Sequence, residues 1–515
     1  MSKDILVGLD AGTSLIKFVA FDLNGKLINQ ASVKNEVNFL EDQKAEQNLN
    51  LTWNKVIEAF ELLDEKIDNL KNRIVFISIT GQGDGSWLIN SKGEPTCDAP
   101  LWLDGRSGEI VDKWRNSEVG PRYSLITGTG LNPSMQTGQM YHFKKFQSEI
   151  YEKTSKVLRC KDWIYYKMTN EIVTDITEGC MTWGNFKTRK YNDEILDILD
   201  LKEMKKKFPD MIDNTEHVGK LSEESAKLLS LNKGTPIVLA PVDIVCSAFG
   251  SGCYDEKQSI GSTVLGTAGI HIFFEFDLAN ITNENQIGYT GPLPGSSASW
   301  RMISNMVASL NIDWIIDIFH KMIEEYGVIP DKNKTLEIFE KGVQNSKPAR
   351  TIYHPFISTN GERGPFVNAN ARAQFLGLNT LTETFDLVRS IYESLGYACK
   401  DCYDSFNAKL DLLRITGGAS NSPSIQKIVG AITRNQTQII DYSEQGAAGA
   451  CMIGSVANGL EKNFQSLNKI WVDPYLKEIK DYDENLSSVY EKSFVSYKEG
   501  YKNMEVFWKQ FNQNI

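Results

Sequence analysis

ILVGLDAGTSLIKFVAFDLNGKLINQASV, residues 5–33, is the stretch that decides the fold. Its apolar runs are short, rich in Val, Ile and Phe, and broken at D-A-G-T and at N-G. Tight breaks of this kind join neighbouring antiparallel strands, so the stretch predicts three strands in succession. A polar helix candidate follows at about Leu51 to Leu70, and then the run VFISIT, which ends at Gly81. Strand, helix, strand is the rhythm of an α/β domain. The pattern restarts at SIGSTVLGTAGIHIFFEFD, residues 259–277, where L-G-T-A-G again separates two apolar runs. LRITGGAS and TQIIDYSEQGAAGA, each flanked by helical patterns, complete the second half. Two similar openings suggest duplicated α/β domains, and 515 residues fit two large domains better than one core. The expected division is 1–250 and 251–515, because Gly, Ser and charge interrupt the apolar pattern between Gly250 and Lys257.

Composition narrows the functional classes. The chain is 41% hydrophobic and 23% charged, ordinary values for a globular protein. Its formal net charge of -11 disfavours nucleic acid and anionic membrane as partners. The start, MSKDILVGLDAGT, lacks the apolar region of a signal peptide, and no stretch approaches the ~18 apolar residues of a membrane span. Eight cysteines are scattered through the chain, which suits reduced thiols in a cytoplasm better than a disulfide framework. Cys399 and Cys402 form a single C-x-x-C within an amphipathic helical pattern, where helix packing is the expected role.

No G-x-x-x-x-G-K-[ST] occurs, which argues against a P-loop, and no G-x-G-x-x-G follows an expected strand. Three other small-residue loops stand at strand ends: Asp10 to Ser14, Gly266 to Gly269, and Gly417 to Ser420. Each is either a tight turn or a place where amides and hydroxyls of Gly12, Thr13, Ser14, Gly266 and Thr267 meet an oxyanion. Asp10 ends an apolar strand, where a carboxylate is costly unless paired or bound to a cation, so it is a candidate for Mg²⁺. Lys17 is within reach of a terminal phosphate.

At these residues the chain resembles the FGGY carbohydrate kinases over nearly its whole length. D-A-G-T-S-x-x-K is similar to that family's first phosphate loop, and G-E-R-G-P-F at Gly361 to Phe366 to its G-E-R-x-P stretch. AQFLGLNTLTETFDLVRSIYE, Ala373 to Glu393, fits the spacing of its second signature. Within the family, GQGDGSWLI, CKDWIYYKMT, NMVASLNIDWIIDIF and NGERGPFVNANARA resemble the erythritol kinases; the xylulose kinases are more distant. The resemblance implies two duplicated actin-like, ribonuclease-H-like domains around an interdomain cleft, with the acceptor and first phosphate loop in the first domain and nucleotide binding in the second. It implies ATP and Mg²⁺ as cofactors, a small polyol or sugar as the other partner, and a homo-oligomer, often a dimer.

Phosphoryl transfer needs an aligned acceptor hydroxyl, neutralised phosphate charge and a base. Asp243 ends the run TPIVLAPVD and reads equally as a helix cap before IVCSAFG or as the base; the resemblance favours the base. VFISIT delivers Gly81-Gln82-Gly83-Asp84-Gly85, where glycine leaves room for a ligand and Gln82 and Asp84 suit vicinal hydroxyls. By resemblance Asp84 stands where glycerol kinases have an acidic acceptor contact and xylulose kinases a histidine, which points away from xylulose. Trp102, Asp104 and Arg106 match the family's W-x-D-x-R: Trp102 offers an apolar face, and Asp104 and Arg106 pair to shape the pocket. Asn132 and Ser134 lie where the family places further acceptor contacts, and Gly417, Gly418 and Asn421 are expected to border the adenosine. The leading expectation is an ATP-dependent polyol kinase, erythritol first. The alternatives are a xylulose or glycerol kinase, or a non-catalytic actin-like sugar sensor that uses nucleotide as a switch.

Overall fold

The computed structural model describes residues 3–513. The opening stretch forms the strands Ile5–Ala11, Leu15–Asp22 and Leu27–Lys34, paired antiparallel in succession. Ile5–Ala11 is buried along almost its whole length, as a central strand covered on both faces must be. The second turn closes on Asp22, whose Oδ1 accepts from the amides of Asn24 and Lys26 while Gly25 takes φ +77°. Helix Leu49–Asp64 starts at Asn48, which caps the Leu51 amide, and Trp53, Val56, Phe60 and Leu63 line its buried face. Strand Ile74–Gly81 then pairs parallel to Ile5–Ala11, and Pro236–Leu239 parallel to Ile74–Gly81.

Two mixed six-stranded sheets result. In the first, five strands run in the order Leu27–Lys34, Leu15–Asp22, Ile5–Ala11, Ile74–Gly81, Pro236–Leu239. In the second, the order is Tyr289–Pro292, Ser299–Asn305, Gly269–Glu275, Ile260–Leu265, Leu412–Thr416, Gln436–Ile439. Each sheet has a hairpin whose first strand is also joined by a parallel crossover strand, which in turn takes another parallel neighbour. The second opening of the sequence therefore repeats the topology of the first.

The chain divides into two compact units that are not contiguous in sequence. One holds the chain up to Asp255 together with Phe274–Arg301 and Tyr442–Tyr475; the other holds Glu256–Phe273, Met302–Asp441 and the chain from Leu476. These compact units interleave along the chain, whereas the expected division into 1–250 and 251–515 is a single cut. In the segment Tyr442–Tyr475, glycines let the helix Gln445–Ala457 lie directly on the strand Ile5–Ala11 and the helix Asp243–Gly250. A Cβ on Gly8 would stand 2.6 Å from the Ala447 carbonyl oxygen, and one on Gly449 1.8 Å from that of Cys246. Ser78 donates to the Ala450 carbonyl at 2.6 Å in the same buried layer.

All eight cysteines carry free thiols, and Cys399 and Cys402 are buried on the helix Thr384–Ser405. Among the described residues, no helix is long and apolar enough to cross a membrane.

Candidate active site

Strand ends of the first unit bring the predicted residues together. Register places Asp10 beside Thr80 on the parallel strand and beside Lys17 on the antiparallel one. The Thr80 hydroxyl donates to the Pro241 carbonyl at 2.6 Å, which fixes the chain two residues before Asp243. Asp243 is the first residue of the helix Asp243–Gly250, and its Oδ1 accepts from the Ile244 amide at 2.7 Å. It is therefore not the residue that precedes the helix, but it does bond a free first-turn amide, as a cap would. One turn later, Ser247 faces the same place as Asp10: a Cβ on Gly446 would lie 3.1 Å from Asp10 Oδ2 and 3.4 Å from Ser247 Oγ.

These carboxylates are held at an electrostatic cost. Burial pushes the Asp243 carboxyl up to about 8, and the charge of Asp10 pushes the same way, against the Ile244 amide. Burial likewise raises Asp10 to about 6; Lys17 opposes the rise and Glu444 adds to it. Lys17 Nζ donates to Glu444 Oε2 at 2.9 Å, so the lysine expected at a terminal phosphate is engaged with a carboxylate. Sequence reasoning did not single out Glu444, which stands in EQGAAGA 427 residues along the chain from Lys17.

The loop after Ile74–Gly81 packs against this corner. A Cβ on Gly83 would come 2.7 Å from Val242 Cγ2, the side chain preceding Asp243, so only glycine fits. Asp84 takes φ +53° and Gly85 φ +72°. Asp84 Oδ2 accepts from the Tyr289 hydroxyl at 2.8 Å and from Ser134 Oγ at 3.0 Å. Asn132 Nδ2 donates to the Tyr289 oxygen at 2.8 Å, and Asn132 Oδ1 accepts from Ser134. Asp84, Asn132 and Ser134 thus form one polar cluster, and Tyr289 joins it. Tyr289 lies some 200 residues downstream and carries no local motif; the amide of Gly130 on the Gly288 carbonyl and that of Thr290 on Thr129 Oγ1 hold it there.

Behind Asp84 lies a buried ionic network that was also missed. Glu178 Oε1 accepts from the Asp84 amide at 3.2 Å and pairs with Arg159 Nε at 2.8 Å. Lys161 contacts Asp162, Asp175 and Glu178. Burial raises Glu178 to about 7 despite Lys161 and Arg159.

Three of the expected site residues are engaged within the protein. Asp104 is buried with both oxygens engaged: Oδ1 accepts from Arg106 Nε at 2.7 Å, and Oδ2 from Arg106 Nη2 and the Ala45 amide. It braces Arg106, as the pairing implied, and offers no oxygen to a substrate. Trp102 does more than present a face, since its indole N–H donates to Thr13 Oγ1 at 2.8 Å. The Thr13 hydroxyl donates to Gln82 Oε1 at 2.9 Å, not outward.

In the second unit, the loop Gly266–Thr267 is tied by Ser309, whose amide and hydroxyl both donate to the Gly266 carbonyl at 2.9 and 2.7 Å. Gly417 takes φ +86° against Leu265, where a Cβ would come 2.7 Å from the carbonyl oxygen, and Gly418 faces open space. Thr416 Oγ1, just before them, is buried without a hydrogen-bond partner. Asn421 borders a cavity of about 320 Å³ with Ser420, Gln426, Thr437 and Lys480. The Glu362 carboxylate of G-E-R-G-P-F folds inward, its Oε1 accepting from the amides of Met306, Arg363 and Gly364, so it orders its loop.

Among the described residues, no three His, Cys, Asp or Glu side chains are arranged to hold one ion. A magnesium ion would find Asp10 as a carboxylate ligand there and would have to bring water or phosphate oxygens with it.

The model of the N-terminal domain of the FGGY family of carbohydrate kinases matches residues 5–250, and that of the C-terminal domain residues 261–458. Erythritol kinase of Brucella abortus (strain 2308) is 35% identical over 506 residues, covering 98% of this chain and 97% of the relative. A ligand-bound xylulose kinase from Lactobacillus acidophilus superposes with a TM-score of 0.89 at 21% identity, covering 99% of this chain and 100% of that one. Glycerol kinase from Plasmodium falciparum, solved with ADP, gives 0.83 at 16% identity, covering 97% and 98%. At such identities the two structures speak for the fold alone.

Proposed function

Because this chain belongs to the FGGY family of carbohydrate kinases, we propose that it transfers the γ-phosphate of ATP to a terminal hydroxyl of a small polyol, erythritol, and one observation carries this reading. That observation is the acceptor cluster: Asp84, Asn132, Ser134 and the Tyr289 hydroxyl converge within hydrogen-bond distance of one another. A set of carboxylate, amide and hydroxyls reads vicinal hydroxyl groups, and it leaves polar groups unpaired against an analogue that lacks one. The 35% identity to an erythritol kinase over nearly the whole chain supports the four-carbon polyol as its substrate.

Asp243 is assigned as the general base. Its carboxyl, raised to about 8, holds a proton strongly enough to draw one from an alcohol once ionised. Gln82, Gly83 and Asp84 orient the acceptor. Gly12, Ser14 and their amides take the phosphate side, while Gly266, Thr267, Gly417, Gly418 and Asn421 take the nucleotide. Magnesium held at Asp10 would neutralise phosphate charge. Eight free thiols fit a reducing cytoplasm.

The test is ADP release over a panel of erythritol, glycerol, xylitol, D-xylulose, L-xylulose and gluconate at equal concentration. The highest kcat/KM is expected with erythritol. Acceptor-independent ADP release, or equal rates across the panel, would contradict the reading.

A further inference from the structure

Resting on that reading of the two substrate sites, the geometry points to Gln47 as a positioning residue that couples ATP binding to polyol binding. Gln47 is fully buried on the short strand Ala45–Gln47, paired to Ala99–Pro100, and no motif marks it. Its Nε2 donates to the Thr13 carbonyl at 2.8 Å, and its Oε1 accepts from Gln82 Nε2 at 2.7 Å. Gln82 Oε1 accepts from the Thr13 hydroxyl at 2.9 Å, and that hydroxyl oxygen accepts from the Trp102 indole at 2.8 Å. Thr13, Gln47 and Gln82 close a ring between the first phosphate loop and the acceptor loop, and Trp102 donates into it from outside.

The ring has only one direction. A backbone carbonyl can only accept, so Gln47 must turn its amide nitrogen to Thr13 and its oxygen to Gln82. Gln82 must then give its nitrogen to Gln47, which leaves its oxygen facing Thr13. The indole can only donate, which agrees at the other end. The one proton of the Thr13 hydroxyl is thereby directed at Gln82.

A phosphate oxygen arriving at the Asp10–Ser14 loop competes for that proton. If Thr13 turns to it, Gln82 Oε1 is left buried without a donor, a costly state. A polyol hydroxyl that donates to the same oxygen removes the cost. Each substrate therefore favours the other, by the same factor in both directions. Gln47 enforces this by denying Gln82 the alternative of rotating its amide.

The coupling is measured by calorimetry as the erythritol dissociation constant with and without a saturating non-hydrolysable ATP analogue and magnesium. In the unsubstituted protein the analogue is expected to tighten erythritol at least about 5-fold, and Gln47→Met to bring the factor to within about 2-fold of unity. A residue that only stabilised the fold would lower both affinities and leave the factor unchanged. If Gln47→Met does not fold, Thr13→Val reports on the same proton and is expected to abolish the factor as well. A factor near unity in the unsubstituted protein, or full coupling in the variant, overturns the inference. Asp84→Asn separates this from the parent reading: if it leaves analogue-free erythritol binding unchanged, the acceptor site itself is misassigned, whereas weakened binding with coupling intact in Gln47→Met removes the role of Gln47 alone.

Discussion

Two carboxyls, Asp10 near the end of a strand and Asp243 at the start of a helix, are held in surroundings that resist their ionisation, and the stability of the chain must register this. An unfolded aspartate titrates near 3.9, whereas the folded groups sit at about 6 and about 8. Between pH ~4 and ~8 the folded chain therefore keeps protons that the unfolded chain releases, and stability falls as pH rises through that window. Below it both states are protonated, and above it both are ionised, so the contribution is flat at either end. The ligand-free protein is expected to melt at progressively lower temperature from pH 5 to pH 8, and Asp243→Asn to melt with a shallower dependence. Thermal denaturation of both proteins across that range checks this; parallel curves would mean that Asp243 ionises normally. The sequence made both aspartates visible, because a carboxylate ending an apolar run is conspicuous. It did not reveal Tyr289, Glu178 or Glu444, whose bonds to Asp84 and Lys17 span 94 to 427 residues and follow no local period. The Arg106 partner of Asp104 was legible in its motif, but the Ala45 amide that takes its second oxygen comes from the strand Ala45–Gln47 and was not.

At the scale of elements, the helix Asp243–Gly250 owes its position to contact with the helix Gln445–Ala457. Gly449 leaves no room for a side chain against the Cys246 carbonyl, and Gly250 none against that of Gln445. A branched side chain at Gly449 must push the two helices apart. Gly449→Val is expected to cost about 1–3 kcal/mol in urea unfolding and to reduce turnover, because Asp243 moves with its helix. Unchanged stability would show that the helices are not in intimate contact. The strands were legible because their apolar runs are short and bounded by turn residues. That close packing was not, since E-Q-G-A-A-G-A reads equally as a loop for nucleotide and as the small-residue face of a helix. The structure makes its larger part helix.

For the whole molecule, repeated strand order gives the duplication that the two openings suggested, while the returning segments Phe274–Arg301 and Tyr442–Tyr475 were hidden because nothing local tells a chain which unit it rejoins. The acceptor cluster depends on the first of these and the Lys17–Glu444 pair on the second. In the proposed reaction, Asp243 removes the proton from a polyol hydroxyl as phosphate is transferred. The most direct measurement is the rate of erythritol-dependent ADP release by Asp243→Asn at saturating ATP, alongside nucleotide affinity by calorimetry. The expected result is a loss of about 10²–10⁴-fold in kcat with nucleotide affinity retained; turnover within a few-fold of the unsubstituted protein would contradict it.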